Sequence, residues 1–489
     1  MSRAISWLLA ALVLVALVAA GTFYIGGFRL QRSTSVAASP NQNDGDETGQ
    51  IASVNIGTVL GPEVVDQQLV GLAYRQVERS YYKPVDSRTL VTGEHDGLQA
   101  YLRGALKAKH VSVAPALPKP QANGDAASDL HALDGQLAYA EDHYAAYLGS
   151  GGRDQLTQAA LSGMLGSLRD PYTVYLSPDQ IRALNEELNG GDFGGIGVFI
   201  YQLQGQVVVQ PIEGLPAARA GMQGNEVVQS INGQPVRGMA LDRVERLIRG
   251  PEGTVVTITT HPYKKTTPHE YRITREIIHV PTVHAEYLKK DKIEYIRLTD
   301  FGETSASEVR KALLQGKAHG AKATILDLRD NGGGLLNAAV DISSLFIPKG
   351  YGEYHGTIVT EIDRDGDKDS QYANGNVISG ITPVVVLVNA YTASASEITS
   401  GALQDYKIAT LLGTKTFGKG VVQGIFSLPN GGALKITTQR YVTPSGRDIQ
   451  HKGIEPDITV PQNPDLSYID TPKDKQLAAA KAFLKRLIR

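Results

Sequence analysis

Pro383-Val384-Val385-Val386-Leu387-Val388-Asn389-Ala390-Tyr391-Thr392-Ala393-Ser394-Ala395-Ser396-Glu397 runs out of an apolar strand, 383–388, and into a small-residue helix expected over 397–405. An uninterrupted apolar run of this length, rich in valine, reads as a buried strand. The turn after it delivers Ser394 to a helix N-terminus, where unpaired backbone N–H groups favour developing negative charge. Working outward, strands and helices alternate from 277 onward. A strand is expected over 293–298, a helix over 305–315 and a buried strand over 323–328. Arg329-Asp330-Asn331-Gly332-Gly333-Gly334 then turns the chain into a helix over 335–346, and 407–460 is mostly strand. This order predicts a mixed α/β fold, with a core built on a partly parallel sheet. A glycine run at a strand end is where such sheets place sites.

A second stretch, Thr416-Phe417-Gly418-Lys419-Gly420-Val421-Val422-Gln423, offers a lysine among glycine and apolar residues. An ordinary lysine, with a pKa of about 10.4, is almost wholly charged at neutral pH. Desolvation disfavours the ammonium form, and Phe417, Val421 and Val422 are expected to supply the apolar wall that frees the amine as a base. Ser394 and Lys419 together indicate a Ser/Lys hydrolase. Histidine is a poorer candidate base, because none of the 11 pairs with a serine and an acid in a recognisable order. The histidines between 269 and 284 lack a ligand spacing, so neither metal nor cofactor is expected. The acidic run 363–369 lacks the glycine and late glutamate of a calcium loop and reads as a solvated turn.

The chain has 489 residues and a net charge of −2, which supports several domains and gives no sign of nucleic-acid binding. With no cysteine it has no disulfide, thiolate site or cysteine nucleophile. Residues 1–30 contain an uncharged apolar run, 5–28, long enough to span a bilayer, which reads as a membrane anchor or a signal peptide. Residues 31–58 read as a flexible tether. The catalytic part is then expected outside the cytoplasm, tethered to the cell envelope, or secreted or periplasmic after signal cleavage. A helical region follows at 59–185, with an unusual insertion at 86–152: helix-like 97–109, an exposed Ala/Pro connector over 111–127, and helix-like 130–148. The insertion reads as a cap, a substrate platform or a docking surface.

Residues 186–276 form a separate unit. Phe193-Gly194-Gly195-Ile196-Gly197 leads into alternating strands, then Pro216-Ala217-Ala218, the Asn232-Gly233 turn and a helix over 241–249. The order resembles a PDZ domain, in which the 193–197 loop would offer backbone N–H groups to a peptide carboxylate while the peptide adds as a strand. The protease-like core then occupies 277–489.

The chain as a whole resembles the carboxyl-terminal processing peptidases, or tail-specific proteases. The resemblance rests on Gly163-Met164-Leu165, Asp170-Pro171-Tyr172, the PDZ unit, 325–334, 392–397, 416–423, 440–449 and 453–457. It implies Ser394, not Ser396, as the nucleophile, Lys419 as general base and Gln423 as the residue that orients the lysine. It also matches Asp405 to an acidic residue important in some members, and Ala395 and Gly333 to the backbone donors of an oxyanion hole. Protein substrates with apolar C-terminal residues are the implied partners. An adaptor or activator and self-association stay open.

Overall fold

The computed structural model describes residues 28–29, 62–112, 115–188, 193–263, 265, 267–461, 469, 471 and 473–488. The anchor expected over 5–28 and the tether 31–58 lie outside the described residues, save that Phe28–Arg29 forms a short strand parallel to Val421–Ser427, with Phe28 opposite Gln423. Among the described residues no helix is long and apolar enough to cross a membrane. The chain divides into two compact units, 185–282 with 302–304, and the remainder.

The larger unit is built on a sheet in the order Val283–Leu288, Ile293–Leu298, Ala323–Asp327, Val384–Val388, Ala409–Gly413, Ile458–Thr459. Its first pair is antiparallel and the others are parallel. Side chains alternate between faces along each strand, and both faces are covered. Leu326, Val384, Val386, Val388 and Leu411 pack under the helices Ser305–His319, Leu336–Ser344 and Ala395–Asp405. Their neighbours Ile325, Val385, Leu387 and Leu412 pack under the C-terminal helix Lys475–Leu487. A parallel sheet covered this way delivers its strand ends, and the turns that follow them, to one edge.

A second sheet carries the lysine: Val421–Ser427 pairs with Ala433–Val442, which also pairs with Thr357–Ile362 and Val174–Leu176. The acidic run 363–369 is the turn joining Thr357–Ile362 to Lys368–Tyr372, closed by Asp363 Oδ1 accepting from the N–H groups of Asp365 (3.0 Å) and Asp367 (2.9 Å).

Helices Pro62–Ser80, Ser87–Ala108, Ala126–Leu148 and Gly152–Gly166 bury one leucine-rich core that includes Leu434 and Ile436 of the second sheet. The second of these helices starts ten residues before its expected position. Asp86 caps it, its carboxylate accepting from Arg88 N–H at 3.0 Å, and the glycines Gly93 and Gly97 inside it form a crossing point. A Cβ on Gly97 would lie 2.5 Å from the Cα of Gly163, so only glycine lets the two backbones touch. The Ala/Pro connector is likewise more than an exposed link. Leu117 is buried, and Gln99 and Gln136 donate to the carbonyls of Pro115 (2.7 Å) and Pro118 (2.6 Å), strapping the segment across the helices.

The smaller unit is an antiparallel sheet in the order Val198–Leu203, Gln206–Pro211, Glu226–Ile231, Val255–Pro262, His269–Thr274, with the helix Leu241–Ile248 against its first strand. That edge strand and helix frame the groove a peptide strand would enter. The expected loop is shorter than 193–197: Phe193–Gly195 is already paired with Glu276–Ile278, leaving Ile196 and Gly197 as the turn.

Candidate active site

The turn after Val384–Val388 is welded to the glycine turn after Ala323–Asp327 by side chains. Asn389 Nδ2 donates to Asp330 Oδ1 (2.7 Å), and Asn389 Oδ1 accepts from Asp330 N–H (3.1 Å). Thr392 Oγ1 donates to Leu328 O (2.8 Å), and Asn331 O accepts from Ala393 N–H (3.1 Å) and Ser396 Oγ (3.0 Å). These bonds hold Ser394 at φ 55°, a left-handed conformation that a non-glycine residue rarely adopts, just before the helix Ala395–Asp405. Ser394 is fully buried, and its Oγ makes no hydrogen bond.

Gly333 lies directly against this turn. A Cβ there would come within 2.9 Å of both Ser394 Cβ and Ala395 N, and its φ of 109° is one that L side chains rarely adopt. Gly333 and Ala395 therefore meet beside Ser394. In this structure Gly333 N–H donates to Asn331 Oδ1 at 2.9 Å, so it is engaged within its own turn.

Lys419 is 2% exposed, and its Nζ lies 4.7 Å from the centroid of the Tyr172 ring. Burial holds the amine well below the ordinary lysine range, and the like charge of Lys435 pushes the same way. Asp170 and Glu397 oppose the shift without reversing it. The expected apolar wall is corrected in one member. Val421 and Val422 are buried, but Phe417 is 55% exposed, and Tyr172 covers the amine instead. The chain direction explains this, because Phe417 N–H is tied to Thr392 O (3.0 Å) at the rim before the backbone turns inward at Gly418.

Gln423 is fully buried on Val421–Ser427, just after a bulge in its pairing with Ala433–Val442, and neither amide atom makes a hydrogen bond. Asp405 lies elsewhere. At the far end of an 11-residue helix, roughly 16 Å from Ser394 at helical rise, it pairs with Arg447 and accepts from Ser445 N–H at 2.9 Å. It anchors the 443–447 turn to the helix and has no direct reach to Ser394.

Sequence reasoning missed Glu397. Its buried Oε2 accepts from the N–H groups of Ser394 (3.0 Å) and Lys419 (2.9 Å), while Oε1 accepts from Gly418 N–H (2.8 Å) and the Thr416 hydroxyl. Burial pushes this carboxyl up from its ordinary value, against four donors that favour the ionised form. A glutamate three residues after a serine at a helix start is the capping-box signature, which was the available signal. Among the described residues no group of three or more histidine, aspartate or glutamate side chains converges as a metal-ligand set.

The α/β core thus carries a serine at a strained strand-to-helix turn and a desolvated lysine whose backbone is held by the same Glu397 carboxylate, and a separate unit carries the smaller antiparallel sheet. Residues 292–460 match Peptidase family S41, residues 207–260 match the PDZ domain family, and the chain belongs to peptidase family S41. A probable CtpA-like serine protease of Staphylococcus aureus (strain bovine RF122 / ET3-1) is 38% identical over 327 residues, covering 66% of this chain and 62% of the relative. A protein of the same description from Staphylococcus haemolyticus (strain JCSC1435) is 36% identical over 338 residues, covering 68% and 66%. The chain thus spans less than two thirds of the length of the Staphylococcus aureus relatives it matches. A solved photosystem II D1 C-terminal processing protease aligns over 81% of this chain and 93% of its own, at 28% identity and a TM-score of 0.44.

Proposed function

We propose that the chain is a membrane-tethered serine endopeptidase that cleaves extracytoplasmic proteins whose apolar C-terminal tails its PDZ unit captures. The observation that carries this reading is the pairing of Ser394, strained at a helix N-terminus, with a desolvated Lys419 whose backbone N–H shares one carboxylate oxygen with that of Ser394. Lys419, as the free amine, takes the Ser394 proton as Oγ attacks the scissile carbonyl. The Ala395 N–H and, once released from Asn331, the Gly333 N–H stabilise the oxyanion, each such donor contributing about 3 kcal/mol in acyl transfer. The Lys419 ammonium then protonates the leaving amine, and water hydrolyses the acyl group by the same proton route. For this the amine must turn from the Tyr172 ring toward Ser394, where the unengaged Gln423 amide is available to orient it.

Two features support a site built for a ligand rather than for stability. Ser394 Oγ and both amide atoms of Gln423 are buried without partners, an arrangement that normally costs stability. The edge strand Val198–Leu203 beside the helix Leu241–Ile248 matches the strand-addition mode of peptide capture. The test is cleavage of an unstructured reporter protein ending in an apolar residue, compared with the same protein bearing an amidated C-terminus. Losing a charge-assisted bond to the tail is expected to lower kcat/KM roughly tenfold or more. Equal cleavage of the two tails removes tail recognition from the reading.

A further inference from the structure

The backbones of Ser394 and Lys419 are gripped by the same two side chains. Glu397 Oε2 accepts both N–H groups, at 3.0 and 2.9 Å. On the carbonyl side the Tyr441 hydroxyl lies 3.2 Å from Ser394 O and 2.5 Å from Lys419 O. Neither catalytic candidate sits inside regular structure. Ser394 is the strained residue before a helix, and Lys419 follows Gly418, at φ 90°, and precedes Val421–Ser427. Their separation is therefore not set by a helix or a ladder of their own.

We infer that Tyr441 and Glu397 form a two-point clamp that sets the distance between Ser394 and Lys419, with Tyr441 as a positioning residue for the acyl-transfer step. This rests on the Ser394/Lys419 reading proposed above. Tyr441 suits the task because it comes from a third element, Ala433–Val442, whose partner Val421–Ser427 continues directly from the lysine loop. It is almost fully buried, and burial pushes its phenol well up, so it stays protonated at any working pH. With one proton it donates to one carbonyl at a time, the shorter contact being to Lys419. The Ser394 carbonyl closes the other side of the same hydroxyl. A pair of reacting groups misplaced by an ångström loses about a hundredfold in rate.

The test is Tyr441→Phe in the full chain, which keeps the buried ring and removes only the hydroxyl. Active sites are titrated with a fluorophosphonate, and kcat and KM are measured per titrated site. The expected result is full labelling stoichiometry, KM within about twofold and kcat lower by about ten- to a hundredfold. A merely structural role would instead reduce the number of labelled sites and leave kcat per site unchanged, and that result overturns the inference. If Tyr441→Phe does not accumulate as folded protein, Glu397→Gln reads the other half of the clamp by the same criterion. Ser394→Ala and Lys419→Ala run in parallel separate the two claims. Activity surviving in them defeats the Ser/Lys reading itself, whereas their loss beside an unimpaired Tyr441→Phe defeats only the clamp.

Discussion

Replacing Lys419 by methionine is expected to lower kcat/KM for peptide cleavage by about 10⁴-fold or more while raising Tm at neutral pH. Both effects have one cause. Burial lowers the pKa of Lys419 in the fold, so between that value and the unfolded one, about 10.4, the unfolded chain binds the extra proton. Stability therefore rises with pH through this window, and at the low end of the window the buried lysine is a net cost. Methionine fills similar space without that cost. The gain in Tm should be largest toward neutral pH and fade as pH approaches about 10.4. Thermal melts of both proteins across that range check the sign. A Tm that falls on substitution contradicts a desolvated lysine, and full activity in Lys419→Met contradicts its role as base.

Arg329→Met is expected to destabilise the larger unit by about 3–5 kcal/mol, read from denaturant midpoints. Arg329 is buried, and its guanidinium bridges two buried carboxylates. Nη2 donates to Asp327 Oδ2 (2.5 Å) and Asp474 Oδ2 (2.8 Å), and Nη1 donates to Asp474 Oδ1 (2.9 Å). When the guanidinium is gone, Asp327 retains the Tyr295 hydroxyl (2.8 Å) and the Arg329 N–H (3.0 Å), with the charge of Arg297 acting on it from nearby. The cost comes from removing the guanidinium from between two buried carboxylates, so replacing Asp327 by methionine as well should recover part of it. Arg329→Lys should rescue poorly, since an ammonium cannot reproduce the planar fork between two carboxylates. The network ties the N-cap of Lys475–Leu487 to the strand end that leads into the Gly333 turn, so cleavage activity should fall with stability. A change below about 1 kcal/mol contradicts this reading of the network.

The α/β core was legible because each layer has its own period. The apolar run 384–388 marks one buried strand, and the glycine turn 332–334 marks the exit of another, 323–327, without reference to anything distant. That Ser394 stands at a strand-to-helix turn was legible for the same reason, and so was the burial of Lys419, from its glycine and valine neighbours. What surrounds them was not, because it depends on which residues meet in space. Phe417 is apolar and adjacent to the lysine in sequence, yet it faces solvent, while Tyr172, from a turn far upstream, lies over the amine. Tyr441 carries no local signal that its hydroxyl reaches two carbonyls on other elements. Glu397 carried one, in its spacing from Ser394, but that spacing does not reveal the bonds to Gly418 and Lys419. Gly93 and Gly97 show a packing role that sequence alone does not reveal. They lower helix propensity locally, but packing against Gly163 makes glycine the residue that fits.

The proposed mechanism turns on Ser394, and a fluorophosphonate probe reads it directly. With the full chain in detergent, peptide mapping after labelling is expected to find the phosphonyl group on Ser394, no label on Ser394→Ala, and much slower labelling of Lys419→Met. A label carried by another residue, or undiminished cleavage by Ser394→Ala, would contradict the Ser394/Lys419 mechanism.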